Sequence, residues 1–150
     1  MDVPAKEAAH TYETHLAQGH YFIDGAEELL ETLYGQYRMY LVTNGTLSVQ
    51  KGRLKSSGIS RYFEDIFISE ELGYNKPGRE YFDCCFSRIP DFHKETAVII
   101  GDSLTSDIQG GINAGIRTIW FNPSHEKTSE IIPDYEFDSL MKLPELLSHI

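Results

Sequence analysis

An α/β fold built on a doubly wound parallel sheet is predicted by three observations. Short apolar runs alternate along the chain with helical stretches. The connections between them are short, so successive strands must run parallel with helices on both faces. Right-handed crossovers then wind the sheet in both directions. Third, the run Ala97 to Ile100 is too apolar to be exposed, yet it ends on Gly101 and Asp102, as expected where strand ends open onto a site.

The elements follow in order. Residues 4–18 (PAKEAAHTYETHLAQ) read as a polar helix of good formers that starts on a proline. In 25–35 (GAEELLETLYG), Ala26, Leu29, Leu30 and Leu33 share one helical face and Gly35 closes it. YRMYLVT (37–43) reads as a strand and TLSVQKGRLKSSG (46–58) as a helix ending in glycine. EDIFIS (64–69) is a strand. In PGREYFDCCFSRI (77–89) a helix turns Tyr81, Phe82, Cys85 and Phe86 inward. TAVIIG (96–101) is a strand, LTSDIQGGINAG (104–115) a helix in which Gly110 and Gly111 permit close packing on the sheet, and IRTIWF (116–121) a strand. YEF (135–137) reads as an edge strand and SLMKLPELLSHI (139–150) as a closing helix broken by Pro144. Tyr34, Tyr37, Tyr40, Tyr62 and Tyr81 read as core and rim residues.

Composition bounds the function. The chain has 150 residues, enough for one domain that buries about 70% of its unfolded surface. A formal charge of −10 argues against nucleic acid or an anionic membrane as partner. It leaves room for a small anionic substrate, because a local cation or metal reverses the field. No apolar run reaches the roughly 18 residues of a membrane span, and MDVPAKEAAH does not read as a signal peptide. Cys84 and Cys85 are adjacent, which gives no disulfide framework. A reducing cytoplasm is the expected setting. His10, His15 and His20 fall on different helix faces, and no Gly-x-Ser-x-Gly elbow occurs.

Three loops at strand ends carry the candidate chemistry. Thr43-Asn44-Gly45 links a strand to a helix. Asn-Gly is a common hairpin turn, but a helix follows here. A hydroxyl and a helix N-terminus therefore face any anion at the strand end. Lys76 precedes Pro77, which suits a first helical position. Lysines are usually solvated, but a cation at this sheet edge could neutralise a phosphoryl group. Asp102 could simply cap the following helix. Asp107, five residues on, is less easily explained that way. Two carboxylates beside hydroxyls suit Mg²⁺, which takes hard oxygen ligands, waters and substrate phosphate.

Taken together and in this order, the three loops resemble the haloacid dehalogenase-like (HAD) hydrolase superfamily. Thr43-Asn44-Gly45 matches its second motif, Lys76-Pro77 its third, and Gly101-Asp102-Ser103-x-x-x-Asp107 its fourth. The resemblance covers about residues 20–123, with SGISRYFEDIFISEELGYNKPGREYFD and GGINAG most similar to the pyrimidine nucleotidase (YjjG-like) branch. It implies a three-layer α/β/α Rossmann-like core over residues 21–150. Residues 1–20 would be the remnant of a helical cap. It also implies a Mg²⁺-dependent phosphomonoester hydrolase that works through a phospho-aspartate. Asp102 would be the direct metal ligand, with Asp107 supporting it. Thr43, Asn44 and Gly45 would hold phosphoryl oxygens and Lys76 would balance charge. The substrate would be a small phosphorylated metabolite such as a nucleoside monophosphate.

One motif departs from the pattern. The family's Asp-x-Asp, on a first strand between those at 37–43 and 96–101, carries the nucleophile. No Asp-x-Asp occurs in these 150 residues. The chain is therefore expected to lack the first strand and most of the cap, and to be inactive alone. Strands 37–43 and 96–101 are expected to pair directly, unless a second copy or another fragment completes the sheet. Two other functions compete: a non-catalytic interaction module derived from the fold, and a haloacid dehalogenase. The latter attacks carbon without metal, so the Asp102–Asp107 pair argues for the phosphatase.

Overall fold

The computed structural model describes residues 17–18, 21–22, 25–128 and 130–150. The expected cap helix at 4–18 lies outside the described residues except at its end. There Ala17–Gln18 (β1) forms an antiparallel ladder with Tyr21–Phe22 (β2) instead of a helical turn.

The alternating pattern is otherwise realised in sequence order. Ala26–Leu33 (α1) leads to Tyr40–Thr43 (β3), Leu47–Ser57 (α2), Asp65–Ile68 (β4) and the single turn Ser69–Leu72 (α3). Arg79–Ser87 (α4), Val98–Gly101 (β5), Gln109–Ala114 (α5) and Arg117–Phe121 (β6) follow, then Tyr135–Phe137 (β7) and Leu143–Ser148 (α6). Strands are shorter than the apolar runs that predict them, because the run ends serve as connections. Pro144 does not break the closing helix. It sits in the first turn of α6, where its missing N–H costs nothing.

Every ladder from β3 onward is parallel: β3 with β4, β5 with β6, and β6 with β7. The direct pairing expected between β3 and β5 is not formed. Among the described residues the strands make separate sheets, β3-β4 and β5-β6-β7. Side chains join the two strand ends instead. Lys76 Nζ donates to Val42 O at 3.3 Å and reaches across to Asp107.

The two sheets nonetheless share their layers. Met39 and Leu41 of the β3 segment pack with Val98 and Ile100 of β5 beneath α1 and α6. Tyr40 and Val42 pack with Ala97 and Ile99 on the opposite face, against Tyr81, Phe82 and Cys85 of α4. This period-two alternation, in phase across both sheets, makes a three-layer α/β/α core. All four residues of β3 and all four of β5 are buried, the pattern of strands covered on both faces.

α5 lies close against this core because its second and third residues are Gly110 and Gly111. A Cβ on Gly110 would come within 2.5 Å of the Phe82 ring, and one on Gly111 within 2.5 Å of Ile99 Cγ2. The five tyrosines divide. Tyr40, Tyr62 and Tyr81 are core, Tyr37 is half-buried, and Tyr34 is 59% exposed.

Candidate active site

Parallel strands place their carboxyl ends, and the loops that leave them, at one edge of the fold. β3 delivers Thr43, Asn44 and Gly45 to that edge, and β5 delivers Gly101 and Asp102. Lys76 arrives from the loop between α3 and α4. The first and second loops are stitched together: Lys76 N donates to Asn44 Oδ1 at 2.9 Å, and Asn44 Nδ2 donates to Lys76 O at 3.2 Å. The second and third are joined by an ion pair, Lys76 Nζ to Asp107 Oδ1 at 2.7 Å, with both side chains fully buried.

Asp107 reaches this position through an irregular turn. Residues Leu104–Ile108 form a turn of π-helix before α5. Ser103 O accepts from both Asp107 N at 2.9 Å and Ile108 N at 3.1 Å. The expected helix at 104–115 is therefore two pieces. The wide turn swings Asp107 under β5, where its Oδ2 accepts from Ser103 N at 3.3 Å. Gly101 is what makes room: a Cβ there would lie 2.2 Å from Asp107 Oδ2. Asp102, half-buried, follows on the same strand end, and Trp120 Nε1 donates to its backbone oxygen at 3.0 Å.

The loop after β3 is more tightly held than its sequence suggests. Thr43 is 1% exposed and its Oγ1 donates to Asn44 O at 3.2 Å. Its backbone N–H donates to Tyr81 Oη at 2.9 Å, and that hydroxyl donates to Phe67 O at 2.6 Å. Gly45 N–H donates to Ser69 Oγ at 2.8 Å. Leu47 N–H, at the start of α2, donates to Glu70 Oε1 at 2.6 Å. Tyr81, Ser69 and Glu70 were not apparent as parts of the site from sequence. The available signal was chemical: an inward-facing tyrosine on α4, in place of phenylalanine, needs a partner for its hydroxyl.

Among the described residues a buried cation, Lys76, thus sits at the strand ends that also carry Thr43 and Asp102, paired with Asp107. A family model described as haloacid dehalogenase-like hydrolase matches residues 2–121. The chain belongs to that family. The HAD-hydrolase YfnB of Bacillus subtilis is 47% identical over 138 residues, 91% of this chain and 59% of YfnB. The crystal structure of YfnB bound to magnesium superimposes with a TM-score of 0.84 at 48% identity, covering 88% of this chain and 58% of that one. The pyrimidine 5'-nucleotidase PynA of Streptococcus pneumoniae is 44% identical over 93% of this chain and 60% of its own length. YjjG of Escherichia coli, also a pyrimidine 5'-nucleotidase, is 36% identical over 83% and 56%. The resemblance to the YjjG-type branch and the α/β core therefore stand. This chain spans about three fifths of the length of these relatives. Among the described residues no helix is long and apolar enough to cross a membrane.

Proposed function

We propose that this chain carries the phosphate- and magnesium-binding part of a phosphomonoester hydrolase that acts on a small phosphorylated metabolite, such as a nucleoside monophosphate. The observation that supports this most directly is the fully buried Lys76 ammonium at the carboxyl ends of β3 and β5, hydrogen-bonded to Asp107 and Val42 O. A buried ion pair is a costly way to stabilise a fold. It is a good way to fix a positive charge where an anion's charge must be neutralised. Two of the relatives are nucleotidases, which supports the substrate class.

Each residue has a role in this reading. Thr43 Oγ1 and the turn at Asn44 hold phosphoryl oxygens, Lys76 offsets their charge, and Gly45, whose N–H is engaged by Ser69 Oγ, shapes the turn. The donor set fits a hard cation: Asp102 is a carboxylate at the end of β5, and the missing Cβ at residue 101 lets the Asp107 carboxylate pack directly against the same strand end. Asp102 would hold Mg²⁺ directly. Asp107, engaged by Lys76 and Ser103 N, would support it from behind. When bound, Mg²⁺ would draw charge from the phosphoryl group. A nucleophile is not among these residues, since no Asp-x-Asp is present. A further strand, from a second copy or another segment, would fit between β3 and β5 and complete the layer.

The test is hydrolysis of an aryl phosphate. The chain alone, with Mg²⁺, is expected to show no turnover. Joined to a segment that supplies the Asp-x-Asp strand implied by the family resemblance, it is expected to hydrolyse the ester in a Mg²⁺-dependent way, and Asp102→Asn is expected to abolish this. Robust turnover by the chain alone, or a folded fusion that is inert, contradicts the proposal.

A further inference from the structure

The loop that follows β3 is gripped by two hydroxyls in the same manner from two different elements. Tyr81 Oη, on α4, lies 2.9 Å from Thr43 N and 3.4 Å from Thr43 O. Ser69 Oγ, on α3, lies 2.8 Å from Gly45 N and 3.2 Å from Gly45 O. Each hydroxyl thus contacts both backbone groups of one residue. Between them Asn44 is held by its side chain, which bonds both N and O of Lys76. Three consecutive residues are each fixed at two points. Both hydroxyl-bearing side chains are buried, Tyr81 at 0% and Ser69 at 4% exposure.

We propose that Tyr81 and Ser69 are positioning residues. Their hydroxyls form a clamp that presets the Thr43–Gly45 backbone for one phosphoryl group. The inference rests on the phosphate-binding role proposed above and goes beyond it, because the printed partners of both hydroxyls are backbone groups of the protein itself. A short loop that bears an anion site costs affinity if it must be ordered on binding. Here the ordering is already done, since Thr43 N–H and Gly45 N–H are satisfied from behind by the clamp. That fixes the turn that leads from Thr43 into the start of α2. Tyr81 also donates to Phe67 O at 2.6 Å, so the clamp is anchored to the end of β4 and not to the loop alone.

The experiment titrates inorganic phosphate, and separately Mg²⁺, into the full chain and into Tyr81→Phe, Ser69→Ala and Ser69→Thr, well below the melting temperature of each. Hydrogen exchange at the Thr43 and Gly45 amides is followed in parallel. Tyr81→Phe and Ser69→Ala are expected to weaken phosphate binding about fivefold or more, the affinity equivalent of one misplaced hydrogen bond. Both are expected to leave Mg²⁺ affinity unchanged and to speed exchange at the clamped amides. Ser69→Thr, which keeps the hydroxyl, restores phosphate affinity. Leu147→Ala, in the opposite core layer, lowers stability without touching phosphate binding. Equal phosphate affinity in wild type and Tyr81→Phe overturns the clamp while leaving the phosphate site standing. Loss of affinity in Leu147→Ala to the same degree as in Tyr81→Phe also overturns it. Absence of phosphate binding in the wild-type chain overturns both readings.

Discussion

Two lysine–aspartate pairs in this protein have the same length and opposite settings. Lys76 Nζ lies 2.7 Å from Asp107 Oδ1 with both side chains fully buried. Lys142 Nζ lies 2.7 Å from Asp138 Oδ1, with side chains 64% and 30% exposed. The second joins residues four apart in sequence near the start of α6, where solvent screens the attraction. Its trace is a carboxyl at Asp138 held below the usual range, first by the hydrogen bond from Lys142. The first joins residues 31 apart and bridges the ends of β3 and β5. Distance is identical, so distance does not decide what each pair does. Burial decides: removing one partner of the inner pair strands a charge that water cannot reach, while removing one of the outer pair leaves a solvated ion.

The largest effect is expected from breaking the inner pair. Asp107→Asn or Lys76→Met should cost about 3–5 kcal/mol in denaturant unfolding. Replacing both with Leu and Met should cost much less than the sum, because no lone charge remains. Additive losses would show that the two residues act independently. An intermediate effect should come from alkaline pH. Burial and the nearby Glu64 carboxylate push the Tyr40 phenol up to about 12. Between its unfolded value near 10 and that folded value, the native state holds a proton that the unfolded state has released. Stability should therefore fall as pH rises from about 10 to 12, and Tyr40→Phe should flatten that fall. Urea midpoints across this window measure it. The smallest effect belongs to the outer pair: Lys142→Ala should leave the melting temperature unchanged at physiological salt. A clear loss there would mean that the exposed pair is more than a surface contact.

Much of this contrast was legible in the sequence. The order of strands and helices followed from apolar periodicity, and the end of β5 on Gly101-Asp102 marked the candidate site. Lys76 was placed at the same edge by its loop position, although Pro77 falls in a turn ahead of α4, which starts at Arg79, and not at the first helical position. Three features were not legible, each for a physical reason. The π-turn at Leu104–Ile108 answers to the need to turn Asp107 toward Lys76, a tertiary demand that leaves no mark on local period. The separation of β3 from β5 depends on hydrogen bonds, and side-chain alternation is the same whether or not a ladder forms. The hydroxyls of Tyr81 and Ser69 lie on residues whose burial alone suffices to explain them. Only the backbone groups they meet reveal a further role.

The account stands or falls on whether Asp102 and the Thr43–Lys76 loops form one site. Calorimetric titration of Mg²⁺, with and without inorganic phosphate, tests this directly in the wild-type chain and in Asp102→Asn. The account predicts that phosphate strengthens Mg²⁺ binding in the wild type and that Asp102→Asn loses both the binding and the coupling. Mg²⁺ binding that is indifferent to phosphate, or that survives unchanged in Asp102→Asn, contradicts it.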